Sequence, residues 1–404
     1  MRFILLDAGL RNDQGHHANS CRLILGAARA RGIPTFAFAN VEAAPALLTE
    51  LGAKPHFRAF PYWLSDGDPI SGWLNAFYTN TSTTAQDLAR LPPIDADDLV
   101  FFNSVQPAQL FAALQWLAAL PPARRPHIIV EFGTGVMLAT AMTPSGPTLT
   151  LPEPRIDATG MLFHFVGGQM ANVDTSRLHL VTYHATTSRI MEGLLGRRVG
   201  IVPFPYEAAT PPRARAGHRP ITLALLGFQR ADKGYHLLPS LLPRLLADNP
   251  ALRILLHNSG AGTMPELDAA MQRLAAMHPR FVYDPRVVGA RDWATLLDIA
   301  DIILCPYDGS RYIVSHSGIA VEAIANGVPL IVPAHTPLAD IASEYRGAAT
   351  CFERLTIDDV AAATSRALAN FDAQARIAAD AAAAWGRDQG ARRTVEAVLA
   401  LARE

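Results

Sequence analysis

Two short segments in the second half of the chain carry the residues best suited to chemistry. In Leu223–Leu238 (LALLGFQRADKGYHLL) an apolar run ends at Gly227, a short loop brings Arg230 and Lys233, and Gly234 precedes an amphipathic stretch. A strand, a loop with two cations and a helix start together make a receptor for phosphate oxygens. Lysine acts there as a compact point charge, whereas arginine favours planar bidentate contacts. The chain holds only two lysines, Lys54 and Lys233, among its 35 basic residues, so lysine in this loop is not a compositional habit. The second segment is Ile303–Pro333 (ILCPYDGSRYIVSHSGIAVEAIANGVPLIVP). Its spacing predicts a strand ending at Cys305, a loop, and a helix opened by Ser317 and Gly318 and closed by Asn326-Gly327. Amides of Ser317, Gly318 and Ile319 would face an anion at the helix start. Glu322, one turn on, lies on the face of Gly318, where a carboxylate can accept from a vicinal diol.

The first half offers weaker candidates. Gly15, His16 and His17 follow the first apolar run, in a loop expected at a ligand-facing edge. Adjacent histidines invite a metal, but no third ligand stands at a recognisable spacing. Asn103-Ser104 and Glu131–Gly135 stand at expected strand ends, and Glu131 is a candidate base or ligand there; His164 and His184 are further histidines without a pattern. Asp66-Gly67-Asp68 and Asp95-Ala96-Asp97 spell Asp-x-Asp, a pattern whose two carboxylates can share a metal ion. Both sit in turn-like surroundings, and no essential metal is expected.

Elements that could position these residues are legible as alternating apolar runs and amphipathic stretches, the pattern of β/α units around mostly parallel sheets. Strands are expected at Arg2–Asp7, Pro34–Phe38, Leu99–Asn103, His127–Glu131 and Leu178–Tyr183, with helices such as Asn19–Arg31 and Ala108–Leu120 between them. Met142–Asp157, rich in Pro and Thr, reads as an irregular excursion. The pattern restarts at Ile221–Gly227, Arg253–Asn258, Phe281–Tyr283, Ile302–Cys305 and Leu330–Val332, with a helix over Tyr235–Ala247. Between the halves, Val202–Pro220 holds five prolines and reads as a linker. The Ala/Arg-rich stretch Asp372–Glu404 reads as helical to its end. The expected organisation is an α/β protein of two Rossmann-like domains facing a central cleft, at 1–203 and 220–380, joined by a linker at 204–219, with a terminal helix at 381–404.

Composition excludes several classes. Half of the 404 residues are apolar and 18% are charged, ample for large cores and unlike a disordered chain. No apolar run approaches the roughly 18–20 residues that span a bilayer, and residues 1–10 read as a first strand rather than a signal peptide. The formal charge of −1, with no basic cluster, argues against nucleic acid. Three scattered cysteines (Cys21, Cys305, Cys351) make no disulfide framework and suit a cytoplasm.

Together the two segments of the second half resemble the donor-binding domain of the retaining GT-B glycosyltransferases, in particular the large bacterial family of lipopolysaccharide and capsule mannosyl- and glucosyltransferases. The family's Gly-x-x-Arg-x-x-Lys-Gly loop is matched by Gly227, Arg230, Lys233 and Gly234. Its Glu-Ala-x-Ala-x-Gly-x-Pro signature is matched by Glu322, Ala323, Ala325, Gly327 and Pro329. The likeness covers about Ile221–Asn370, and Ala290–Tyr307 resembles the stretch before the loop.

The resemblance implies that Arg230 and Lys233 hold a nucleotide diphosphate and Glu322 its ribose. It also implies that the Ser317-Gly318 amides support the sugar-phosphate end, that Gly15, His16 and His17 serve the acceptor, and that the last helix returns to the first domain. A second family Glu, eight positions before Glu322, is Val314 here; His316 and Asp308 both stand near that place, and the spacing does not choose between them. The implied activity is transfer of a sugar from a nucleotide-diphosphate sugar to a glycan, lipid-linked or other acceptor in polysaccharide biosynthesis. It would proceed with retention, without metal or other cofactor, in the cytoplasm or peripherally at the inner face of the membrane. The alternatives are a non-catalytic GT-B protein that binds a nucleotide sugar or glycan and, within enzymes, a GT-B epimerase or phosphorylase. The latter would need a different acid/base set or a cofactor lysine.

Overall fold

The computed structural model describes the chain except residues 14–15, 63–71, 134–138, 144–145, 151–157, 209–211, 218, 310–311, 313–316 and 404. Contacts divide it into two compact units. The first comprises Met1–Thr143, Thr148–Pro205 and Gln389–Glu404; the second comprises Pro144–Pro147 and Tyr206–Asp388.

The strands of the first unit are β1 (Phe3–Asp7), β2 (Thr35–Asn40), β3 (Ala53–Phe57), β4 (Leu99–Phe102) and β5 (His127–Glu131). Next come β6 (Ala139–Thr143) and β7 (Gly146–Thr150), which pair with each other, then β8 (Leu178–Thr182) and β9 (Gly200–Ile201). The main sheet runs β3-β2-β1-β4-β5-β8-β9, and all of its pairs are parallel. Residues Phe3–Asp7 and Leu99–Phe102 are buried throughout, as a parallel sheet covered on both faces requires. The helix Pro107–Ala119 starts with a proline, whose missing N–H costs nothing in a first turn.

In the second unit β10 (Thr222–Leu225), β11 (Arg253–His257), β12 (Phe281–Asp284), β13 (Ile302–Leu304), β14 (Leu330–Pro333) and β15 (Ala349–Phe352) form a parallel sheet ordered β12-β11-β10-β13-β14-β15. Its core joins Leu223 and Leu225 of β10 to Leu238, Leu241, Leu242 and Leu245 of the next helix, leucines spaced to share one helix face. In each sheet the chain leaves its first strand to build one side and returns to build the other. The reversal falls between β1 and β4 and between β10 and β13, and ligands of such sheets bind beyond the strand ends there.

Three expectations need correction. Met142–Asp157 is not wholly irregular, because the Thr-rich run Gly146–Thr150 pairs as β7. The terminal stretch is not one helix: Phe371–Asp388 and Ala391–Leu401 are separated at Gln389 and Gly390, the latter at φ 97. There Gly390 N–H donates to Phe204 O (2.8 Å) and Gln389 Oε1 accepts from Phe204 N–H (2.8 Å). The final helix thereby joins the first unit, packed on the helix His16–Ala30. Third, the two histidines expected in a loop begin that helix.

The proline-rich segment forms no helix or strand among its described residues after Ile201, yet it is pinned. Arg215, almost fully buried, donates to Ala300 O (2.9 Å), Leu297 O (3.3 Å) and Asn326 O (2.9 Å). One guanidinium thus satisfies carbonyls at the ends of two helices, Ala290–Ile299 and Gly318–Ala325.

Candidate functional site

At the carboxyl end of β10, Gly227 adopts φ 104 and donates its N–H to His257 Nδ1 (3.3 Å). His257 Nε2 therefore carries the proton and donates to Arg286 O (2.9 Å). Burial lowers the His257 pKa and keeps the ring neutral. Gln229 fixes the same turn by donating from its backbone to Asn258 Oδ1 (3.1 Å) and from its side chain to His257 O (3.0 Å). Gly234 (φ 71) ends the loop against β13's exit: a Cβ there would stand 2.1 Å from Pro306 O. Only glycine lets the lysine loop close on that carbonyl.

Lys233 is partly buried, its Nζ 5.3 Å from the centre of the Tyr307 ring and 4.0 Å from where a Cβ of Gly227 would lie. Burial, reinforced by the Arg230 charge, pushes its pKa down to about 8. An ammonium so placed lacks full solvation and gains most from an anion. Arg230 is exposed and already engaged, donating to Asp232 (3.0 and 2.8 Å) and to the Tyr312 hydroxyl (3.3 Å). A diphosphate at Arg230 must therefore displace or share with Asp232, a residue that the loop pattern does not flag.

Glu322 stands on the helix Gly318–Ala325, as the spacing required, and accepts from Trp293 Nε1 (2.8 Å). The indole also lies against His257, ring centres 5.8 Å apart, and 4.0 Å from the missing Cβ of Gly227. Trp293 thus ties the carboxylate to the loop after β10. Ser317 caps the helix without a side-chain bond to it; its hydroxyl meets the Tyr307 hydroxyl at 3.4 Å. Tyr307 and Tyr312 pack with ring centres 4.6 Å apart. The structure therefore gathers Gly227, Arg230, Lys233, Ser317, Gly318 and Glu322 at one sheet edge, joined by Tyr307, Tyr312 and Trp293. An aromatic residue just after a strand exit was the available signal in the sequence for Tyr307. Asp308 is half-buried, and its N–H donates to Asp232 O (2.9 Å). His316 and Val314 lie outside the described residues.

In the first unit a second polar cluster occupies the ends of β1, β4 and β5. Asp7 is fully buried and accepts from Gly9 N–H (2.8 Å), Asn103 Nδ2 (2.8 Å), Cys21 Sγ (3.3 Å) and His17 Nδ1 (2.8 and 2.9 Å to its two oxygens). Burial alone would raise its pKa, but the His17 charge and these bonds outweigh it and hold Asp7 below the usual range. His17, expected in a loop, is buried, its ring resting where a Cβ of Gly9 would be. Its Nε2 meets the Tyr62 hydroxyl at 2.9 Å. That hydroxyl lies 3.1 Å from Ser104 Oγ and 3.3 Å from His16 Nε2, which are themselves 3.1 Å apart.

Ser104 holds a left-handed backbone (φ 54), and its N–H donates to Glu131 Oε2 (2.8 Å). Glu131 is not solvated: it is 1% exposed, and burial pushes its pKa up to about 8. Its Oε1 has no hydrogen-bond partner among the described residues. Gly15 and residues 134–135 lie outside the described set.

His164 is exposed and bonds Leu194 O (3.2 Å); His184 is buried at the start of the helix Ala185–Leu195, its pKa pushed down to about 4 by desolvation. Asp95 is exposed and paired with Arg2 (3.5 Å) and Arg124 (3.9 Å), so this Asp-x-Asp serves a turn; Asp66 and Asp68 lie outside the described residues. Among the described residues no three His, Cys, Asp or Glu side chains converge as metal ligands, and no helix is long and apolar enough to cross a membrane.

No protein-family model matches the sequence, and no curated protein is detectably similar to it. Solved structures do match over essentially the whole chain. HepE of Anabaena, determined with UDP, is 13% identical with a TM-score of 0.62, covering 99% of both chains. An α,α-trehalose 6-phosphate synthase from Burkholderia multivorans is 15% identical with a TM-score of 0.65, covering 100% of this chain and 96% of its own. Sucrose-phosphate synthase from Thermosynechococcus elongatus is 15% identical with a TM-score of 0.60, covering 100% and 97%. At such identities the likeness concerns the fold: two parallel-sheet α/β units, as in GT-B glycosyltransferases.

Proposed function

We propose that the protein is a glycosyltransferase that takes a sugar from a nucleotide-diphosphate sugar held at the second sheet. The observation that carries this reading is the convergence of Lys233, Gly227 and the Trp293-bound Glu322 at the reversal between β10 and β13. A partly desolvated ammonium suits a diphosphate, and a fixed carboxylate suits a ribose diol. HepE, a structural neighbour, was solved with UDP and with UDP-glucose, which supports a donor of this class.

In this reading Lys233, Arg230 and the amides of the Ser317–Ile319 helix start stabilise charge developing on the departing diphosphate, work that other transferases give to a metal. Asp232 releases part of its hold on Arg230 as the diphosphate arrives. Transfer with retention, without metal or other cofactor, to a glycan or lipid-linked acceptor in polysaccharide biosynthesis completes the proposal, with the protein acting in the cytoplasm or at the inner membrane face.

The test is calorimetry with UDP, GDP and ADP, followed by nucleotide release from the matching sugar donors. One nucleotide should bind the wild type and bind Glu322→Gln more weakly, because a charge-assisted bond to the diol is about twice as strong as a neutral one. A chain that binds none of the three, or a Glu322→Gln variant with unchanged affinity, refutes the donor site. Turnover that is lost to a chelator and restored by a divalent ion refutes the metal-free mechanism.

A further inference from the structure

We infer that the first unit carries a self-association surface, an uncharged aromatic face that pairs with the same face of a second copy of this chain. Three helices build it, Gly72–Ala89, Pro107–Ala119 and Ala158–Gln169, each packed on the next. The middle helix is largely buried, and its Phe111 lies half-buried between the other two. The Phe165 ring stands 5.6 Å from the Phe111 ring and 6.1 Å from that of Phe77, and Phe77 stacks on Phe111 at 5.9 Å. Tyr78 extends the row, 5.7 Å from Phe77. Exposed side chains flank it on both sides: Leu74 and Tyr78 lie one turn apart on the first helix, Met161 and Phe165 one turn apart on the third. Large apolar side chains scattered singly over a surface are ordinary, but these four border a single row of packed rings.

The face is also without charge. No Asp, Glu, Lys or Arg occurs in 72–86, 107–119 or 158–169. The one acid of the first helix, Asp87, is buried and taken up by Arg58 and Arg90. Facing water does not require this, since the helix Phe371–Asp388 carries Asp372, Arg376, Asp380, Arg387 and Asp388. A two-fold interface does favour it. Such an interface sets one patch against itself, so a residue near the axis meets its own kind and like charges would repel. Aromatic residues and methionine are the types that interface cores collect, and charged residues are those they lose.

Other occupants suit the face less well. An anionic leaflet draws lysine and arginine to stand beside the apolar side chains, and these three stretches supply none. Size fits a dimer. With axes about 9 Å apart and a rise of about 1.5 Å per residue, helices of 18, 13 and 12 residues present roughly 500 Å² in projection. Side-chain relief enlarges that towards the roughly 800 Å² that each partner gives to a standard interface. Ring packing also holds Phe165 and Tyr78 before any partner arrives, which lowers the ordering cost of association. No residue of the donor site takes part, so the surface stands whether or not the protein transfers a sugar.

Sedimentation equilibrium of the full-length protein over a dilution series compares the wild type with Tyr78→Glu, Met161→Glu and Met277→Glu, with far-UV circular dichroism as the check on folding. Met277, 68% exposed, lies on the second unit and serves as the control. The wild type should reach twice the chain mass and go no further. Tyr78→Glu and Met161→Glu should fold and each raise the dimer dissociation constant about 10-fold or more, because one substitution places two carboxylates in the interface. Met277→Glu should leave it unchanged. A wild type that stays monomeric at every concentration, or grows into an open series of oligomers, overturns the inference. So does a dimer as tight in Tyr78→Glu and Met161→Glu as in the wild type, or one weakened equally by Met277→Glu. Flotation with phosphatidylcholine–phosphatidylglycerol vesicles tests the other occupant: a monomer that binds them and is released by Tyr78→Glu puts a lipid surface in place of the second copy.

Discussion

The two sheets place their first strands identically, between the second and fourth to be laid down, yet those strands end in opposite ways. β1 ends in Asp7, whose buried carboxylate collects donors from Gly9, His17, Cys21 and Asn103, so the protein fills its own strand end. β10 runs into Gly227, which has no side chain, and the cations stand around the open turn rather than in it. Buried acidity surrounded by hydrogen-bond donors governs where protons rest, while a partly desolvated lysine calls for an external anion. One architecture thus supports two chemistries because strand order fixes where a site lies and only the residues at the strand ends fix what it does.

The largest effect should come from Gly234→Ala, which sets a methyl group on Pro306 O and forces a left-handed residue to carry it. A loss of about 3 kcal/mol or more in urea unfolding is expected, among the larger values for point changes. A loss below about 1 kcal/mol would mean that the β13 exit yields, and that the lysine loop is not locked against it.

Glu131→Gln tests the first unit. A carboxyl group whose pKa rises from 4.5 to about 8 on folding binds more protons folded than unfolded between those values, so the stability it allows is full below 4.5 and lost as pH climbs to about 8. Glutamine keeps an acceptor for Ser104 N–H and cannot ionise. The variant should gain about 2 kcal/mol relative to wild type near pH 8.5, roughly 4–8 °C in melting temperature, and match it near pH 5. Parallel melting curves across that range would place the Glu131 carboxylate in solvent.

On the other sheet, Lys233→Ala should weaken UDP binding by about 1.5–3 kcal/mol, and Lys233→Arg should recover only part. The pH effect runs the same way, by loss of a positive charge: a lysine with its pKa near 8 is charged below that value, so wild-type affinity should fall between about pH 7 and pH 9 while Lys233→Arg stays flat. Calorimetry across that range decides, and a flat wild type would put Lys233 outside the anion site.

The smallest effect expected is that of Trp293→Phe, which removes the indole N–H from Glu322 and keeps most of the ring. UDP affinity should drop by about 1 kcal/mol, and Glu322→Gln should cost less in that background than alone, since coupled partners are not additive. Full additivity would separate the tryptophan from the carboxylate.

Much of this was legible in the residues themselves. Apolar runs alternating with amphipathic stretches specify parallel strands and covering helices, because side-chain period and burial are properties of the local chain. The same locality made Gly227–Gly234 and Ser317–Glu322 readable: a glycine at a turn, cations in its loop and a carboxylate one helical turn in are all near neighbours in sequence. Short β3, β9 and β15 escaped, since strands of 5, 2 and 4 residues carry too little period to stand out. So did the break at Gly390, whose Ala-rich surroundings favour helix on both sides.

Tertiary structure alone decided the partners. Trp293 reaches Glu322 across 29 residues, Tyr62 meets Ser104 across 42, and Asn103 meets Asp7 across 96, each because parallel strand order brings distant loops to one sheet edge. It also decided protonation. Asp7 and Glu131 are both strand-end acids in the sequence, but among the described residues one is buried with several donors that favour its charge and the other with a single donor and an unpartnered oxygen. Desolvation and hydrogen bonding act through space, so no spacing along the chain could have told the two apart.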